Sequence, residues 1–132
     1  MSQNDFYTAQ LYIPLNSATA GNVDDLFCVN RLGGKAKVTA VDYVSDGGVT
    51  ANNTNNKTFT ASVGGVTIGT MTTNVAGTGD IADGGVASMT LTAAGSNYVA
   101  EGGAVKIALS IAGSGVAVAG TVAVTLQRVR AD

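Results

Sequence analysis

Apolar and polar residues alternate with a period of two through most of this chain, which restricts it to strands with one buried face each. Val105, Ile107, Leu109 and Ile111 alternate with Lys106, Ala108, Ser110 and Ala112. Phe59, Ala61 and Val63 oppose Thr58, Thr60 and Ser62, and Ala87, Met89, Leu91 and Ala93 alternate with Ser88, Thr90 and Thr92. In the last strand, over 121–130, Val122, Val124 and Leu126 point inward. Over 37–44, simple alternation sends Lys37, Thr39, Val41 and Tyr43 one way and Val38, Ala40, Asp42 and Val44 the other. No segment carries an apolar stripe at helical spacing for three turns.

Glycine pairs punctuate these runs: Asp46-Gly47-Gly48, Gly64-Gly65, Asp83-Gly84-Gly85 and Glu101-Gly102-Gly103. Glycine supplies the positive φ that tight turns demand, and the Thr, Val and Ile between them suit a pleated surface. The expectation is an all-β fold, an antiparallel β-sandwich or jelly roll of seven to eight strands. Residues 35–132 form its core. Residues 1–34 differ: Phe6, Tyr7, Leu11, Tyr12 and Ile13 crowd the start, and the only proline, Pro14, closes that piece. It reads as a first strand of the same domain or as an arm that docks on a neighbouring subunit, followed by a linker.

With 132 residues the chain suffices for one domain with a real core. Its single cysteine, Cys28, has no partner within the chain, so no intrachain disulfide supports the fold, and Cys28 reads as a small buried apolar residue. The 12 % of charged residues fall well below the roughly 25 % usual for soluble domains, a composition suited to close packing against partners. The N-terminus lacks the basic start and apolar core of a secretory signal, and no run is long and apolar enough for a membrane helix. A net charge of −2 with no large basic cluster offers little to a nucleic-acid backbone.

Candidate chemistry is sparse. The chain has no histidine, so the usual activator of a cysteine or serine nucleophile is missing, and catalysis is not expected. Adjacent strand residues such as Asp24 and Asp25 point to opposite faces and make no catalytic pair. Asp80, Asp83 and Glu101 sit in Gly-rich turns and offer the oxygen ligands calcium takes, but not at the spacing of the twelve-residue calcium loop. Turn formation and solubility account for them. The Gly77–Gly79 and Gly113–Gly115 segments lead into no helix, so neither is a phosphate cradle. No cofactor is expected. Lys35, Lys37, Lys57, Lys106, Arg128 and Arg130 read as strand and strand-edge cations that discourage aggregation. Asn52-Asn53-Thr54 and Asn56-Lys57-Thr58 fit the glycosylation pattern, yet without a secretory signal they read as loop residues.

Two longer stretches carry a resemblance. "KVTAVDYVSDGGVTANNTNNKTFTASV" and "VAEGGAVKIALSIAGSGVAVAGTVAVTLQRV" resemble small proteins encoded among the head genes of tailed phages. There a V-T-A-V-x-Y-V strand, an Asn/Thr-rich turn and a second strand recur, followed by an A-E-G turn, a G-x-G-x-A link and a closing G-T-V strand. The matching positions are 38–44, 54–59, 100–102, 113–117 and 120–126, so the likeness runs from Lys35 to the C-terminus. Gly103 stands where an acidic residue often follows A-E-G, and Ala119 where proline is common.

The resemblance implies a capsid decoration, or head cement, protein. Such a protein is made in the host cytoplasm, binds the outer surface of an assembled head, often as a homotrimer, and bridges major capsid protein subunits. It contacts neither nucleic acid nor membrane. Candidate interface residues are Phe6, Tyr7, Leu11, Tyr12, Ile13, Asn53, Asn55 and Tyr98, because aromatic anchors dominate buried interface centres. Tyr12, Phe27 and Phe59 equally suit the domain's own core. Two other roles fit the same strands: a fibre, tail or head–tail adaptor component, and a non-catalytic glycan-binding sandwich using the Asn-rich loop.

Overall fold

The computed structural model describes residues 8–15, 19–21, 23–92 and 96–129. Ten antiparallel strands form two sheets, a β-sandwich without a helix among the described residues. In the first sheet β1 (Thr8–Leu15) pairs with β10 (Gly120–Arg128), which pairs with β3 (Ala36–Ser45). The far edge of β3 is shared by β6 (Val86–Ser88) and β8 (Tyr98–Val99). The second sheet runs β2 (Leu26–Val29), β9 (Ala104–Ala112), β4 (Asn56–Val63), β5 (Val66–Thr72), β7 (Thr90–Leu91). Phe6, Tyr7, Ala93 and Arg130 lie outside the described residues.

Among the described strands only β4 and β5 follow each other within one sheet. Their two-residue turn, Gly64-Gly65, has both φ values positive, at 59° and 82°, as a type I′ hairpin requires. Every other connection crosses the sandwich. The crossing from β6 to β7 takes a single residue, Met89, whose N–H donates to Val41 O while its side chain is buried. The alternating run over 87–92 therefore serves two sheets.

The core lies between the sheets. Val122, Val124 and Leu126 of β10 face Phe59 and Ala61 of β4, Ile68 of β5 and Val105 and Ile107 of β9, all at most 1 % exposed. Simple alternation fails in β3, where Val38, Val41 and Tyr43 are all buried. Ala40 stands opposite Thr125 and Val38 opposite Leu126, so Thr39 is an extra residue in a β-bulge. The bulge reverses the facing of everything before it. A second one leaves Ile68 unpaired between Thr67 and Gly69 and buries Ile68 and Gly69 together.

β1 pairs with β10 over its full length, from Thr8 opposite Gln127 to Leu15 opposite Gly120. Among the described residues it is the outer strand of its sheet, where proline is tolerated because one side of the backbone needs no ladder partner. Pro14 occupies such a strand and blunts its edge.

Candidate functional site

The polar tract at 52–57 is a piece of loop carpentry. Asn52 Oδ1 accepts the N–H groups of Thr54 and Asn55 at 2.8 and 2.7 Å, closing a turn on itself. Asn53 Oδ1 accepts from Val75 N–H at 3.0 Å, and Asn55 Oδ1 from Ser114 N–H at 2.8 Å. The buried Asn56 donates from Nδ2 to Asn52 O. Three loops at one end of the sandwich are thus tied by amides, and the oxygens of Asn53 and Asn55 are engaged inside the protein.

The turn carboxylates do the same work. Asp83 Oδ1 accepts from Gly47 N–H and Asp80 Oδ1 from Ala51 N–H, each at 2.8 Å. Glu101 accepts from Gly33 N–H at 2.8 Å through Oε1 and meets Arg31 at 3.4 Å through Oε2. Among the described residues no three His, Cys, Asp or Glu side chains gather as a metal site would need. Asp25 lies just before β2 and meets Lys106 at 3.4 Å.

Lys57 departs from the strand-edge reading. Its side chain is fully buried on the inner face of β4, with Nζ donating to Thr19 O at 3.1 Å. Burial lowers its pKa, since a charge in low dielectric is penalised. Thr73 sits over the backbone of Lys57, accepting its N–H at Oγ1 and donating N–H to its carbonyl. Cys28 is half-buried, and burial raises its thiol pKa.

The other interface candidates separate by face. Ile13 is buried in the core and Leu11 packs against it, so both point inward from β1. Tyr12 points outward and is 66 % exposed; it stands opposite Ala123 and donates its hydroxyl to Gln10 Oε1 at 2.6 Å. Tyr98 is half-buried, with Lys35 Nζ 5.0 Å and Lys37 Nζ 6.0 Å from its ring centroid. Phe59 is core, whereas Tyr12 and Phe27 are not.

Phe27 is the surface residue that periodicity alone misses. It is 58 % exposed and caps an open groove of about 580 Å³ on the outer face of the second sheet, floored by Thr60, Ser62, Thr67 and Ala108. Lys106 Nζ lies 6.0 Å from its ring. "LFCV" is apolar at every position, a pattern that marks a strand covered on both faces or an edge strand with one apolar face bare. A second open groove of about 650 Å³, lined by Thr70, Thr72, Asn74, Thr78, Ser88 and other residues, runs between β5 and β6. These surfaces offer hydroxyls, small side chains and isolated apolar residues, a chemistry of contact. No family model, curated protein or solved structure matches the chain.

Proposed function

We propose that this protein is a structural component of a phage particle that binds the outside of an assembled head and stabilises it by bridging major capsid protein subunits. The observation that carries this reading is the fate of the polar loop residues. Asn52, Asn53, Asn55, Asp80, Asp83 and Glu101 each accept backbone N–H bonds that fix loops. Rigid loops on a β-sandwich suit a part used in many copies, whose output is contact energy rather than turnover. Preorganised loops also reduce the ordering cost of binding.

The resemblance over residues 38–126 supports the phage-head assignment, and the capsid role requires no particular free oligomer. Tyr12 supplies an exposed aromatic for contact on one outer face and Phe27 on the other. A glycan-binding role is the less favoured reading, because the Asn53 and Asn55 oxygens that would orient a sugar hold Val75 and Ser114 instead.

The test is to heat heads assembled with and without this protein while following DNA release with a dye. Decorated heads release DNA at a higher temperature if the proposal holds. Equal release temperatures at full occupancy would overturn the stabilising role.

A further inference from the structure

We propose that the free edge of β2 is a self-association site, where a second copy of this chain pairs antiparallel about a two-fold axis and joins two sheets into one. This proposal is independent of the capsid role. β2 is the outermost strand of its sheet, and among the described residues its ladder runs to β9 alone. Edge strands in soluble proteins are usually blunted by proline, lysine or a bulge. The edge of β1 carries Pro14, whereas Leu26-Phe27-Cys28-Val29 carries none of these devices. Instead it exposes Phe27 at 58 % and Val29 at 38 %.

The ladder fixes which backbone groups are open. Asn30 donates its N–H to Gly103 O at 2.9 Å and accepts from Gly102 N–H at 2.8 Å, so its backbone faces β9. Orientation alternates along a strand, which aims the N–H and C=O of Phe27 and Val29 at the open edge. Only residues of like orientation stand opposite one another in an antiparallel pair, so a two-fold pairing must centre on one residue.

Centring on Cys28 sets Phe27 against Val29 of the second copy as a hydrogen-bonded pair, and Asp25 against Arg31 of the second copy. Phe27 and Val29 point to the outer face, and Asp25 and Arg31 flank the strand as exposed residues. Symmetry repeats both matches, giving two apolar contacts and two ion pairs. Centring on Phe27 would place the Asp25 carboxylate against Val29 of the second copy, so charge selects the Cys28 register. Asp25 and Arg31 are free to be shared, because their present pairs with Lys106 and Glu101 are 3.4 Å long and well exposed.

The register has a built-in reporter. Cys28 would face its own copy as a non-hydrogen-bonded pair, with Cα atoms about 4.5 Å apart, inside the roughly 4.4–6.8 Å range of disulfides. Oxidising the purified protein with copper-phenanthroline and dioxygen removes two electrons and two protons from two thiols and forms one S–S bond. The native chain should give a covalent dimer on non-reducing gels. Arg31→Asp alone and Asp25→Arg alone each turn two attractive pairs into repulsive ones and should cut that yield about tenfold. The double variant should recover it. Both positions are exposed, and unchanged urea midpoints would establish that the variants fold. A native chain that gives no dimer, or single variants that cross-link as well as native, would overturn the proposal. A β2 edge reserved for another protein would show the first of these results.

Discussion

The rings of Tyr43 and Phe59 stack with centroids 5.1 Å apart and an interplanar angle of 29°, joining β3 of one sheet to β4 of the other. Both residues are at most 1 % exposed, and the Tyr43 hydroxyl donates to Ala119 O at 2.7 Å, tying the loop before β10 to the same point. Phe59→Ala should cost about 3–5 kcal/mol, the usual loss for deleting a buried ring. Tyr43→Phe keeps the stack and leaves the Ala119 carbonyl to the Asp46 N–H alone, for about 0.5–1.5 kcal/mol. Urea denaturation with a shared m-value checks both; equal losses would contradict the separate roles of ring and hydroxyl.

Alkaline stability should carry two opposed signatures. Burial lowers the Lys57 pKa from 10.5, so between that lowered value and 10.5 the unfolded chain holds more protons than the native one. Stability from this group therefore rises with pH across that window. Burial raises the Tyr43 pKa from 10.0 and the Cys28 pKa from 9.0; each contribution is complete below the unfolded value and is lost as pH climbs through the raised one. Tyr43→Phe together with Cys28→Ala removes the falling effects, leaving the rise due to Lys57 visible in urea midpoints. Adding Lys57→Met should flatten that rise and raise stability at neutral pH. A profile already flat in Tyr43→Phe with Cys28→Ala would contradict a buried Lys57 with a lowered pKa.

Gly120 opens β10 at φ 127°, and a methyl there would run into the Val44 carbonyl oxygen and the Asp46 amide nitrogen. Gly120→Ala should destabilise by more than about 2 kcal/mol, combining backbone strain with a clash against main chain. Gly84→Ala, also at positive φ but with open space around it, should cost about 1 kcal/mol. Thermal unfolding of the two variants side by side separates packing from backbone strain.

Asp83→Ala should release the Gly47 N–H and Asp80→Ala the Ala51 N–H, each for about 0.5–1.5 kcal/mol. Hydrogen exchange should speed at the freed amide in each variant. Uniform protection loss across the sandwich would contradict a local staple.

The strands were legible because period-two patterning and Gly-Gly turns leave little alternative; Phe59, Ala61 and the Val122–Val124–Leu126 face follow from it directly. What escaped was set by tertiary pairing. The bulges at Thr39 and Ile68 exist only relative to β10 and β4, so the strand's own residues do not announce them. Lys57 lies on the inward face with Phe59, but its burial depends on the distant Thr19 carbonyl. Phe27 is exposed because it points to the outer face of its sheet, a facing that the uniformly apolar "LFCV" does not reveal. The Asn tract was recognisable as turn chemistry, while its partners Val75 and Ser114 were not.

Tyr12 and Phe27 contribute little to the core, so Tyr12→Ser and Phe27→Ser should leave urea midpoints within about 0.5 kcal/mol of native. Weakened attachment to heads with stability intact would mark that residue as a contact. Unchanged attachment in both variants would remove these faces from the interface.

The most direct measurement is a titration of this protein onto purified phage heads assembled without it, reading the bound fraction by co-sedimentation. The account predicts saturable binding at a fixed ratio to the major capsid protein, retained after washing. Absence of binding, or binding to tails with bare heads left unoccupied, would contradict it.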